Sequence, residues 1–344
     1  MPEQIKLDAK QVTEAILATI EKDREKEIVS RRFGLFDRKE TLEQIGELLG
    51  ITRERVRQLE KAIVTRLKSQ AQQGSITALT ESEAKVIEQL KAAGNVSRIS
   101  NLTDELTGES DKISQARVAF IVQLSPNLVS LDENDLFYPA GALKDIYKDA
   151  KNLNKEVLDI VATIKEVGKP ISLANLSKKI NKDQATTNSL ASISKQLSSL
   201  NGDWGLSRWP AVNPKNIRDK IYVILKENGK QMHFSEIADK IQQSDFKRKD
   251  VTTQAIHNEL IKDSRFVLVG RGIYALKEWG YKKGTVADVI AEILKKADEP
   301  LHRDEIVKRV LKNRYVKETT ILLNLQGKPQ FKRVAKATYT LADA

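Results

Sequence analysis

Residues 40–68 read ETLEQIGELLGITRERVRQLEKAIVTRLK. Thr41 followed three residues later by Gln44 has the form of a capping box, opening a helix whose inward side is Leu42, Ile45, Leu48 and Leu49. Gly50 ends it, since glycine readily takes the left-handed conformation that a sharp stop needs. Thr52 caps a second helix with Val56, Leu59, Ile63 and Leu67 on its inner face. The order is helix, tight turn, helix. On the outer face Arg53, Glu54, Arg57, Gln58 and Lys61 lie together by helical spacing, and residues 53–68 carry six Lys or Arg against two Glu. Arginines at 53, 55 and 57 stand where the helix dipole disfavours cations, so either the face is simply solvated or an anion is expected there.

The side-chain chemistry suits a major groove. Arg bonds a guanine edge bidentately, Gln pairs with adenine, and Glu accepts from a cytosine amine. The N-terminal residues of a recognition helix are the ones that reach base edges. Periodicity alone leaves a solvated helical face equally open. The longer stretch DREKEIVSRRFGL (23–35) with ETLEQIGELLGITRERVRQLEKAIVTRL (40–67) resembles region 4 of the primary-type bacterial sigma factors. The resemblance covers roughly residues 20–68 and includes the run from Thr52 to Gln58. It implies that Arg53, Glu54, Arg57 and Gln58 contact bases of a minus-35-type promoter element, and that Thr52, Arg55 and Lys61 hold phosphate. In that family the first helices of region 4 also dock on the flap of the RNA polymerase β subunit, which assigns such a contact to the segment Ile28 to Leu35. About twenty residues precede the resemblance, too few for the family's regions 2 and 3. Minus-10 recognition and strand melting are therefore expected to be absent, and the chain is not expected to act as a complete sigma factor.

Composition agrees with a nucleic-acid partner. The 344 residues carry a net charge of +11, and duplex DNA is the commonest polyanion met by a basic protein of this kind. Aromatic residues are only 5% of the chain, which argues against stacking platforms for single strands. There is no cysteine, and His233, His257 and His302 lie too far apart for a short metal motif, so no metal or cofactor is expected. No apolar run approaches a membrane span and the N-terminus lacks a signal-peptide core, so the expected location is cytoplasmic, on the nucleoid, with no membrane partner.

Four later segments share one pattern: LKAAGNVSRISNLTDEL from Leu90, IKEVGKPISLANLSKKI from Ile164, LKENGKQMHFSEIADKI from Leu225 and LKKADEPLHRDEIVKRV from Leu294. Each reads as a helix end, a turn at Gly94, Gly168, Gly229 or Asp298, and a second helix. Ser100, Ala174, Ser235 and Asp304 share one column, three of them good cap residues. His233 and His302 occupy equivalent positions, which predicts a structural role at the start of that helix. Each unit closes on two β-like runs, NLVSLDENDLFYP, SSLNGDWGLSRWP, RFVLVGRGIYALKEWGY and QFKRVAKATYTL. Three helices and a hairpin is the order of a winged helix. Residues 217–281 resemble the HARE helix-turn-helix domain, also found in the delta subunit of bacterial RNA polymerase, with GRGIYALKEWGY as the telling hairpin.

The expected fold is therefore mainly α with small β-hairpin wings. It comprises a sigma region 4-like helix-turn-helix at 1–74 and four winged helices at 80–146, 152–211, 214–282 and 284–344. Linkers are read at AQQGSITALTES, YPAGALKD, RWPAVNPKN and WGYKKGT. In the third winged helix Lys247, Arg248, Lys249 and the wing residue Arg271 are candidates for phosphate contact, and in the fourth Lys308, Arg309, Lys312, Arg314 and Lys317. The first unit is acidic, which favours a protein contact or scaffolding. No phosphate loop or nucleophile elbow appears, so no catalysis and no small-molecule substrate are expected. The favoured reading is a promoter-binding transcription factor that engages duplex DNA and RNA polymerase. The alternatives are a polymerase-associated, delta-like interaction protein and a nucleoid or DNA-maintenance binder.

Overall fold

The computed structural model describes residues 6–342 apart from 247–249, 282–283 and 298. Four helices come first: α1 (Ala9–Ala18), α2 (Asp23–Phe33), α3 (Leu42–Leu49) and α4 (Arg53–Gln72). Four segments follow, each running helix, short strand, helix, helix, strand, strand. The first holds α5 (Thr77–Ala92), β1 (Val96–Arg98), α6 (Ile99–Thr107), α7 (Lys112–Leu124), β2 (Leu128–Leu131) and β3 (Ala140–Leu143), with a single turn α8 (Lys144–Tyr147) after it. The second holds α9 (Ala150–Val167), β4 (Ile171–Ser172), α10 (Leu173–Ile180), α11 (Gln184–Ile193), β5 (Leu197–Leu200) and β6 (Asp203–Leu206). The third holds α12 (Ile217–Asn228), β7 (Met232–His233), α13 (Phe234–Gln243), α14 (Thr253–Lys262), β8 (Phe266–Gly270) and β9 (Ile273–Leu276). The fourth holds α15 (Val286–Ala297), β10 (Leu301–His302), α16 (Arg303–Leu311), α17 (Glu318–Gly327), β11 (Phe331–Ala335) and β12 (Thr338–Leu341). In every segment the last strand lies in the centre of a three-stranded antiparallel sheet. The fold is mainly α with small β wings, as the sequence implies. The chain divides into two compact units, residues 1–208 and 209–344.

Two local readings change. The caps expected at Ser100, Ser235 and Asp304 lie inside the first turn of their helices; the capping residue stands two positions earlier. Pairing with the central strand holds that earlier residue extended, the conformation a cap requires. Ser172 Oγ accepts from the Asn175 amide at 3.4 Å, and His233 Nδ1 accepts from the Ser235 amide at 3.3 Å while Glu236 accepts from the His233 amide at 3.2 Å. His302 Nδ1 does the same for Asp304 at 3.4 Å, so both histidines serve as helix caps. The stretch YPAGALKD is not a linker, because Ala140 to Leu143 form the central strand β3. Three small residues give a weak strand signal, yet Ala140 and Ala142 are fully buried and let the sheet lie close under its helices. The stretch AQQGSITALTES is mostly helix, with only residues 73–76 between α4 and α5.

Within residues 1–208 one hydrophobic core crosses from the N-terminal helices into the first segment. Ile16, Ile20, Val29, Leu35, Ile63 and Leu67 join Leu79, Val86, Leu90, Leu102, Phe120 and Ile121 in it. Helix α7 ties the two parts, packing on α1, α2 and α4. The Phe120 ring lies 4.8 Å from that of Phe33, and Arg117 Nε donates to the Leu35 carbonyl at 2.8 Å. Along α7 only Lys112 is exposed, as expected of a helix that carries apolar residues all round.

A second junction repeats this arrangement. Helix α11 packs on β1, and Arg98, stacked 4.0 Å from the centre of the Tyr138 ring, donates to the Ser192 carbonyl. Ser189 Oγ donates to the Ala93 carbonyl, and Gly94 meets α11 so closely that a Cβ would fall 2.6 Å from the Ala185 carbonyl carbon. Gly94→Ala, strained at φ +92° and clashing with backbone, is therefore expected to lower the unfolding free energy by about 2 kcal/mol or more. Gly168→Ala, at φ +70° with open space around it, is expected to cost only about 1 kcal/mol. Urea unfolding of the two variants checks the difference.

Candidate nucleic-acid interface

Helix α3 opens with the capping box expected: Thr41 Oγ1 accepts from the Gln44 amide at 3.2 Å and Gln44 Oε1 accepts from the Thr41 amide at 2.9 Å. It stops at Gly50, with the Ile51 amide donating to the Gly46 carbonyl at 2.9 Å. Thr52 Oγ1 then accepts from the Arg55 amide at 3.2 Å and starts α4. Ile28, Ile45 and Val56 form a small core, flanked by Leu42, Leu49, Ile51 and Leu59. Leu48, expected on the inner side, is instead 53% exposed. The inward stripe runs 42, 45, 46, 49, with Gly46 supplying the close approach between α3 and α4, and residue 48 falls outside it.

Thr52, Arg53, Glu54, Arg55, Arg57, Gln58 and Lys61 are all exposed at the start of α4. The base-contact candidates are already partnered with one another. Arg57 donates to Glu54 through Nε at 2.8 Å and Nη2 at 2.7 Å, Gln58 Nε2 donates to Glu54 at 3.3 Å, and Arg55 Nη1 donates to Gln58 at 3.3 Å. Hydrogen bonding from Arg57 holds the Glu54 carboxyl below its usual value, and the same bond raises Arg57. Both partners of this pair are more than half exposed, so solvent screens it and exchange for a base edge is cheap. Arg53 and Lys61 have no acidic partner among the described residues and present their charge directly to solvent.

A belt of ion pairs that no spacing rule announces fixes the reader from behind. Glu25 receives Arg66 Nη2 at 2.6 Å and Lys22 at 3.4 Å, joining α2 to α4. Arg32 reaches Glu60 of α4 at 3.2 Å, Arg31 reaches Glu40 at 2.9 Å, and Arg24 donates to the Leu49 carbonyl at 2.7 Å, closing the end of α3. In the sequence these residues look like ordinary surface charges of a helix.

The segment assigned to the polymerase flap is largely enclosed. Ile28, Val29 and Leu35 are fully buried, Phe33 packs on Phe120, and Phe36 at 44% exposure is the apolar side chain left at the surface. Arg271 is exposed in the turn between β8 and β9, in the second unit. Lys247, Arg248 and Lys249 lie outside the described residues. Arg314, grouped by sequence with a phosphate-facing set, is buried: its guanidinium donates to the Leu268 carbonyl of the third segment's hairpin, and the Tyr315 amide donates to Val269 at 3.2 Å. Lys308, Lys312 and Lys317 of that set are exposed, while Arg309 pairs with Glu305 at 2.6 Å.

Helix, Gly-stopped turn and a second helix with a polar, arginine-rich leading end together match a known family segment. Residues 22–69 match the Sigma-70, region 4 family model. Residues 217–279, from α12 through β9, match the model of the HARE-HTH domain, a helix-turn-helix domain described from ASXL and restriction endonuclease proteins. Over the region 4 segment the chain is 49% identical to the RNA polymerase sigma factor sigB of Arabidopsis thaliana, across 47 residues that make up 13% of this chain and 8% of that protein. It is 44% identical to the RNA polymerase sigma factor RpoD of Helicobacter pylori across 64 residues, 18% of this chain and 9% of that protein. The matched stretch thus spans less than a tenth of the length of these curated relatives. Together the two matches support a DNA-binding, sigma-like role. Among the described residues no helix is long and apolar enough to cross a membrane.

The Glu25 pair gives the region 4 segment a pH signature. The Arg66 hydrogen bond is the main cause that holds the Glu25 carboxyl below its ordinary value of 4.5, against the opposing effect of burial. A lowered folded-state value contributes stability that is fully present above the unfolded value and lost as pH falls through the folded one. Glu25→Gln is therefore expected to lower the melting temperature at pH 7, and the gap to wild type is expected to close progressively below about pH 4.5. Thermal melts across that range measure it.

Proposed function

We propose that the protein is a sequence-specific duplex-DNA-binding transcription factor. In this reading the leading end of α4 reads a promoter element of the minus-35 type, and the winged segments engage RNA polymerase or flanking DNA. It acts by binding, without catalysis. One observation carries the reading: Arg53, Glu54, Arg57 and Gln58 stand exposed on the first turns of a helix whose inner face is locked in a core, within the segment that matches Sigma-70 region 4. The chemistry supports it, since those side chains offer donors and acceptors to base edges and Arg55 and Lys61 flank them for phosphate.

Polymerase takes the second place in this reading. A contact with the β flap falls to the exposed rim around Phe36, because Ile28, Val29 and Leu35 are engaged by the chain's own core. The first segment serves as a scaffold, with its third helix α7 enclosed.

Selection of random duplexes in solution tests the reading. A TTGACA-like element is expected to enrich, and Arg57→Ala is expected to reduce discrimination for it roughly ten- to a hundredfold. Lys61→Ala is expected to weaken all duplexes alike and to lower the salt slope by about one. Binding with steep salt dependence and no enriched sequence overturns promoter reading.

A further inference from the structure

The fourth segment matches neither family model, and its hairpin differs from that of the third in a way that points to a ligand. β11 is an edge strand, yet only Phe331 at its start is buried; Lys332, Arg333, Val334 and Ala335 are exposed, as is Lys336 in the turn that follows. The hairpin therefore projects beyond its core. Successive strand residues point to opposite faces, so Lys332, opposite Thr340, and Arg333, opposite Tyr339, place cations on both faces with Lys336 at the tip. A bulge between Arg333 and Ala335 increases the local twist, and Arg333 Nε donates to the Ala335 carbonyl at 3.1 Å, which holds its guanidinium near the end of the hairpin. From residue 319 to 342 the sequence has Lys328, Lys332, Arg333 and Lys336 and, before Asp343, no Asp or Glu. None of the four has an acidic partner among the described residues.

The third segment's hairpin carries only Arg271 in its turn, and its edge strand β8 is braced by Arg314 and Tyr315. Nothing comparable braces β11 among the described residues. A projecting ribbon with positive charge on both faces and at its tip fits a groove walled by negative charge on both sides, and a duplex minor groove, about 6 Å wide between two phosphate rows, has that form. A flat acidic protein surface engages one face only.

We propose that the β11–β12 hairpin is a second DNA contact, a wing that enters a minor groove with Lys332 and Arg333 directed to the two phosphate rows and Lys336 at the tip. This rests on the duplex-binding reading above. It adds to that reading a sequence-independent contact made by a different part of the chain.

The test uses the full-length protein and a duplex that carries the selected element with long flanks on both sides, titrated at several salt concentrations. The triple variant Lys332→Gln/Arg333→Gln/Lys336→Gln is expected to lower the slope of log affinity against log salt by about 2 to 3, with its preference for the element over a scrambled duplex retained. The charge-keeping variant Lys332→Arg/Arg333→Lys/Lys336→Arg is expected to keep the wild-type slope. A triple variant with unchanged slope and affinity overturns the proposal, and self-association of that variant in sedimentation would show that the charges only guard an exposed edge strand. Wild-type protein that binds no duplex overturns the broader reading as well, whereas loss of element preference in Arg57→Ala with an unchanged slope in the triple variant overturns the hairpin's role alone.

Discussion

The inner face of α4 is shared between two cores, and the geometry of the first unit depends on that division. Val56 packs with Ile28 and Ile45 near the leading end, while Ile63, Leu67 and Ala71 enter the larger core with α1, α5 and α7. A helix of 20 residues is about 30 Å long, so its far half works as a root and its near half as a projecting reader. The ion pairs from Glu25 to Arg66 and from Arg32 to Glu60 pin α2 across the same helix. Such support suits base recognition, because contacts to base edges require a donor held to a fraction of an ångström rather than one that swings with a loop.

The winged segments of the first unit show how a fold associated with DNA reading is turned to construction. In a winged helix the third helix is the usual reader, but α7 is enclosed by the N-terminal helices and α11 lies on β1, with Thr186 and Thr187 buried. Fold alone does not allocate function. Each of these third helices has become the plug by which one module seats on its predecessor. The buried Arg98, stacked on Tyr138 and bonded to the carbonyl end of α11, adds a cation where a helix terminus favours one.

Much of this was legible in the sequence because it rests on local rules. The capping box at Thr41 and Gln44, the stop at Gly50 and the cap at Thr52 each depend on residues within a few positions of one another, and the repeated turn and apolar columns disclosed the recurring helix pairs. What stayed hidden depends on partners remote in sequence. Leu48 falls off the inward stripe because Gly46, not a larger residue, faces α4. Arg314 reads as a surface cation until its bond to Leu268 is seen, and Ala140 to Leu143 read as a loop because burial, rather than side-chain propensity, makes them a strand. In the candidate site the outward face was plain from periodicity, but the mutual pairing of Glu54, Arg57 and Gln58 was not.

The core that passes from the N-terminal helices into the first segment also decides where this chain tolerates cutting. A fragment ended after the reader would strip α5 and α7 from Ile16, Ile63, Leu67 and Ala71, leaving a wide apolar stripe in water. Such a stripe is a seed for clumping rather than a stable surface. The DNA-reading helix thus travels with its first neighbour as one heritable piece: recombination that shuffles this protein has its natural joints farther along the chain than the ends of the reader suggest.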